Sequence, residues 1–135
     1  MLTKMNESYK WAAQLELALT NNPDVLDDGD NLFWLSVYFK KNEPIRSFSY
    51  LEKSCQIAPN KNNHYLLGIR YFDGEGVPKN TVRALAHFSV AKAMGYENVD
   101  DLIEICSKNA TKTQISNAED LAAKLWKELE DRIET

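Results

Sequence analysis

An internal repeat constrains this chain more than any other feature of its sequence. Leu35-Ser36-Val37-Tyr38-Phe39 aligns with Leu67-Gly68-Ile69-Arg70-Tyr71 at an offset of 32, and Arg46 through Ser54 aligns with Arg83 through Ala91 at an offset of 37. The five-residue difference falls between the two segments, where a connection can change length without disturbing either one. A period of this size matches one helix–turn–helix unit of a helical repeat array. The 135 residues leave room for about three such units.

Apolar spacing and helix breakers say the same. Residues 6–20 are rich in Ala, Leu, Glu and Lys, and Trp11, Leu15 and Leu19 recur every four residues, on one helical stripe. Asn21-Asn22-Pro23 ends that helix. Asp24 to Asp30 reads as a turn, with Asp30 or Asn31 capping a second helix over about 31–41 that carries Phe33, Trp34, Tyr38 and Phe39. Pro44 stands where a first helical residue belongs, and the third helix runs to Ala58, before Pro59. A fourth covers about 62–72, and Asp73 to Pro78 is a loop. Asn80 can cap a fifth helix that reaches Met94, with Gly95 just past its end. A sixth spans about 98–107. The last carries Leu121, Leu125, Leu129 and Ile133 in one stripe, and Ser116 with Glu119 fits a capping box. The expectation is an all-α chain of about seven helices.

The residues of the second repeat also carry a family resemblance. Leu67-Gly68-x-x-Tyr71-x-x-Gly74-x-Gly76-Val77, followed by Asn80-x-x-Arg83-Ala84-x-x-x-Phe88-x-x-Ala91-x-x-x-Gly95, resembles the Sel-one-like repeat, a relative of the tetratricopeptide repeat. The resemblance implies a short right-handed α-solenoid of antiparallel helix pairs. It covers one clear unit, 62–95, after a degenerate unit at 31–58 and before a partial unit with a terminal helix at 98–134. All of it is expected within one domain spanning 1–135. Each element has a physical reading as well. Gly68 would allow close helix approach, and Gly74 and Gly76 would take positive backbone angles in the loop. Ala84 and Ala91 would keep a narrow seam on the second helix, and Gly95 would end it. His87 stands where the family prefers an aromatic residue.

Charge and composition remove several functions. Sixteen Lys and Arg against twenty Asp and Glu give a net charge of −4 and a pI near 5.2. A general basic surface for phosphate backbones is therefore not expected, nor is a nucleic-acid partner. No run approaches the roughly 20 apolar residues that cross a bilayer, so no membrane partner is expected either. Met1 to Lys10 is too polar for the apolar part of a signal peptide, and Cys55 and Cys106 form no CxxC pair. A cytoplasmic protein with two buried thiols is the expectation. Gly74 to Asn80 lacks the Lys-Ser/Thr pair of a phosphate loop, and its acidic Asp73 and Glu75 would repel phosphate. Asp24 to Asp30 resembles a calcium loop, but aligning Gly29 with the turn glycine puts Leu26 and Leu35 at ligand positions. His64 and His87 have no ligand-spaced partner in sequence, and neither stands beside a cysteine as a catalytic base would. No enzyme activity, metal or cofactor is expected.

What remains is recognition of another protein. A helical solenoid offers shape and side-chain anchors, and Trp, Tyr and Arg are the usual anchors of interfaces. Trp34, Tyr38, Tyr65, Arg70 and Asp73 are the residues expected to touch a partner. Trp34 and Tyr38 have a competing use, packing against the N-terminal helix through Trp11. Negative groups at Asp27, Asp28, Asp30, Asp100, Asp101 and Glu104 would favour a basic partner. The family resemblance implies an adaptor, a scaffold or, among bacterial members, an immunity protein that neutralises a toxin. A short acidic chain of irregular units suits the last of these, with a basic secreted toxin as partner. Self-association through the aromatic helix is the structural alternative, and the chain is expected to be a monomer or a dimer.

Overall fold

A computed structural model describes residues 10–11, 13–18, 21 and 28–134, with side chains up to residue 132. All regular secondary structure among the described residues is helical. Residues 10–11 and 13–18, called α1 here, are helical, as is residue 21; α2 is Gly29–Phe39, α3 Pro44–Ile57, α4 Lys61–Asp73, α5 Thr81–Ala93, α6 Asp100–Lys108 and α7 Lys112–Glu134. No helix among the described residues is long and apolar enough to cross a membrane. The chain divides into two compact units, 1–58 and 59–135. The boundary falls between the two helix pairs that the repeat defines. Leu19, Pro23, the turn at 24–27 and Ile133 lie outside the residues whose side chains are described.

In the first unit α2 packs on α3. Leu32, Leu35, Phe39, Phe48, Leu51 and Cys55 form the core. Two buried serines of α3 tie it to the α2 backbone. The Ser47 hydroxyl donates to the Ser36 carbonyl, and the Ser54 hydroxyl donates to the Gly29 carbonyl at 2.7 Å. Gly29 is required here, because a Cβ would stand 2.6 Å from that of Ala58. Helix α2 consequently starts two residues earlier than the sequence suggests. Asp28, rather than Asp30 or Asn31, is its cap, accepting from the backbone N–H groups of Asp30 and Asn31 at 2.8 and 3.1 Å. Several capping residues compete in this stretch, and the packing of Gly29 on Ala58 selects among them.

In the second unit α5 is central and touches α4, α6 and α7. Leu67 and Tyr71 of α4 and Leu85, Phe88 and Val90 of α5 are buried, with Val99, Cys106 and Ala118 buried from later elements. Phe88 presses on Gly68 so closely that a Cβ there would lie 2.5 Å from two ring atoms. Ala84 and Ala91 are fully buried on the α5 seam. Asn80 caps α5 by accepting from the Arg83 N–H at 3.0 Å, as its position suggests. Gly74, Gly76 and Gly95 have φ of 71°, 78° and 97°. Gly95 completes a C-terminal cap in which the Tyr96 N–H donates to the Ala91 carbonyl and the Gly95 N–H to the Lys92 carbonyl.

Two later boundaries depart from expectation. Helix α6 starts at Asp100 rather than near Asn98, because Asn98 takes a φ of 62° and cannot continue a helix. The capping box of α7 is Thr111 with Gln114, not Ser116 with Glu119. The Gln114 N–H donates to the Thr111 hydroxyl and the Thr111 N–H to the Gln114 side-chain oxygen, at 3.1 and 2.9 Å. Both quartets fit the pattern, and the first starts the helix.

The repeat is visible in each unit as one side-chain arrangement. In the first, Phe39 stacks on Tyr50 at 5.8 Å and the Arg46 guanidinium lies 4.1 Å from the Phe39 ring. In the second, Tyr71 stacks on His87 at 5.7 Å and the Arg83 guanidinium lies 5.8 Å from the Tyr71 ring. The pairs Phe39/Tyr71, Tyr50/His87 and Arg46/Arg83 stand at the two offsets of the sequence repeat. Each unit thus brings a ring of the first helix of its pair against a ring and a cation of the second, as aromatic and cation–π contacts allow.

Candidate functional site

Recognition of a partner needs exposed anchors, so the position of each candidate residue decides its use. Trp34 is 38% exposed, although its ring meets Trp11 edge-on at 6.2 Å and 85°. The expected packing on α1 is therefore formed, and it leaves part of the indole uncovered. Tyr38, half-buried, lies edge-on to Phe39 at 4.8 Å. Exposed Ile45, at 76%, belongs to the same unit.

The second unit carries the other candidates. Tyr65 stacks face to face on Tyr96, with ring centres 4.2 Å apart and planes within 10°. Asp73 is exposed at the end of α4. Arg70 is not on the surface: it is 5% exposed, and burial lowers its pKa against the opposing pull of Glu75. The expectation that it faces a partner is corrected, because its register on α4 turns the side chain inward beside Tyr71.

Asp100, Asp101 and Glu104 lie exposed along the first turns of α6. Two of them are balanced by lysines: Asp100 meets the Lys92 ammonium at 2.7 Å, and Glu104 meets that of Lys108 at 3.1 Å. Such exposed pairs contribute little to stability and are easily exchanged for pairs with another molecule. The two acidic residues at the start of α6 also suit the positive end of its dipole. Asp28 and Asp30 serve the start of α2 in the same way. Asp27 lies outside the described residues. A shallow cleft of the second unit runs beside α6, lined among others by Tyr71, Lys79, Thr81, Ile105 and Cys106. Ile105 is 44% exposed at its edge.

The two cysteines and the two histidines are buried. Cys55 and Cys106 are buried free thiols, as expected, and burial raises the pKa of Cys106 and so suppresses its thiolate. His64 and His87 face each other across α4 and α5, Nδ1 to Nδ1 at 3.1 Å. Burial lowers them to about 4 and about 3, with the charges of His64 and Arg83 adding to the effect on His87. Sequence spacing alone gave no reason to pair them. The repeat offsets did hold a signal: His64 is equivalent to Leu32, a core position, and His87 to Tyr50, which is half-buried in the same helix pair. Tyr96 had none beyond its place after Gly95.

Within the second unit, then, the fold gathers a stacked tyrosine pair, an acidic helix start and an apolar-edged cleft. Trp34 and Tyr38 belong to the first. Comparison of the chain with protein-family models and with curated proteins gives no match.

Proposed function

We propose that this chain is a protein-binding module of the Sel-one-like, tetratricopeptide-like kind, built as a short solenoid of antiparallel helix pairs. The ring–ring–cation arrangement repeated in each unit carries this reading, because it makes each helix pair a copy of one structural unit. Connectivity supports the antiparallel part. Ser47 near the start of α3 reaches Ser36 near the end of α2, while Ser54 near the end of α3 reaches Gly29 at the start of α2.

The sharpest form of the proposal is a small bacterial immunity protein that binds and neutralises a cognate toxin. The exposed acidic residues of α6 suit a basic partner, and steering by such charges acts on the rate of encounter. Exposed Trp34 supplies an aromatic anchor. The experiment is affinity capture with the tagged chain, together with co-expression beside the product of the neighbouring gene. Recovery of a basic protein whose toxicity the chain suppresses supports the proposal. Asp100→Lys with Asp101→Lys should then slow association severalfold at low salt, and less at high salt. No protection, with no toxin-like partner recovered, would sink the immunity reading.

A further inference from the structure

The two histidines of this chain come from different helices and meet inside the second unit, where they are 4% and 8% exposed. Their Nδ1 atoms are 3.1 Å apart and their rings are tilted by 30°. A hydrogen bond between two ring nitrogens needs one donor and one acceptor. One imidazole therefore carries its proton on Nδ1 and the other on Nε2. A further proton on the accepting Nδ1 sets donor against donor and places a charge on a buried ring.

We propose that the His64–His87 pair is an acid-sensitive latch, which fastens α4 to α5 while neutral and releases them when protonated.

On the His87 side, the neighbouring groups oppose a charge. From α4, the neutral phenol of Tyr71 stacks on His87 at 5.7 Å, within 8° of parallel. From α5 comes Arg83, a cation whose field opposes a second positive charge. From α6 the Cys106 thiol lines the same cleft as Tyr71, and burial keeps it protonated. The buried residue of α7 is Ala118, which carries no charge. Each named neighbour is therefore neutral or positive. The repeat also provides its own control. The first unit has Leu32 and Tyr50 at the equivalent positions, so the same kind of helix pair forms there without an imidazole.

The direction of the pH dependence follows. Both imidazoles are lowered in the folded chain, to about 4 and about 3 from an ordinary value of 6.5. As pH falls below 6.5, the unfolded chain takes up protons that the folded chain refuses, so stability drops. The loss levels off only below the folded values, and above 6.5 the pair contributes no slope.

The test is urea unfolding of the full chain between pH 7.5 and 4.5, beside the His64→Leu, His87→Tyr double variant. In the wild type the unfolding constant should rise by up to about a hundredfold per pH unit below 6.5, tenfold for each imidazole. The double variant should lose that rise and keep the shallower dependence due to its carboxylates. Parallel profiles for the two proteins would overturn the proposal. Nitrogen-15 spectra of the wild-type imidazoles decide the matter even if the variant does not fold. One Nδ1–H ring and one Nε2–H ring, both neutral at pH 5.5, support the latch. Two rings that titrate near 6.5 overturn it.

Discussion

Gly68 and Gly95 would each resist a single added methyl group, but for different reasons. At Gly68 the obstacle is a neighbour: the Phe88 ring is fully buried and has nowhere to move. Gly68→Ala should cost about 1–3 kcal/mol of unfolding free energy, as overpacking does. At Gly95 nothing lies within 4 Å of the added carbon, and the cost comes from a φ of 97°. Gly95→Ala should cost about 1–2 kcal/mol, the strain of a left-handed residue. Phe88→Leu should relieve the first variant and leave the second unchanged, which urea unfolding of the double variants can check. At this scale the sequence was legible where a residue type answers to one local demand, as Gly74, Gly76, Gly95 and Asn80 do. It was less so where a side chain answers to a neighbour far along the chain. Arg70 is a surface residue by type and a buried one by register. His64 and His87 are unremarkable apart and defined by each other.

Helix ends show a related competition. Asp28, Asp30 and Asn31 are all good caps, and Thr111 and Ser116 both open a capping-box pattern. Local chemistry could not choose between them. For α2 the choice falls to the approach of Gly29 to Ala58, and for α7 the earlier box adds a turn to the helix. Thr111→Ala should therefore lower stability by about 1 kcal/mol and speed amide exchange at residues 112–115. Ser116→Ala, on an exposed helical position, should stay within about 0.5 kcal/mol of the wild type. A reversed order of these two effects in thermal unfolding would return the cap to Ser116. The third helix needed no such arbitration, since Pro44 lacks the backbone donor that a later helical position would use.

Across the molecule, the division at Ala58 and Pro59 gives each unit its own buried core. The fragment 59–135 holds α4 to α7 and the whole group from Leu67 to Ala118. Expressed alone it should be helical by circular dichroism and unfold in one cooperative step. A fragment with no unfolding transition would show that this core cannot hold by itself. Apolar spacing and helix breakers made the helices readable from sequence, and the boundary lies between two of them. Partner choice was not readable in the same way, because the exposed residues obey no internal spacing.

The short connections within each helix pair have a consequence for how the chain is made. Three residues separate α2 from the cap of α3, and the loop between α4 and α5 is closed by the Asn80 N–H on the Tyr71 carbonyl at 3.0 Å. Contacts this local form in roughly microseconds to milliseconds. Translation at about 5–20 residues per second leaves a few seconds between the completion of one pair and the next. The first helix pair can thus close after it emerges from the ribosome and before the second is complete. Newly made chain would then expose little unpaired apolar surface at any moment, and folding would proceed in the order of synthesis.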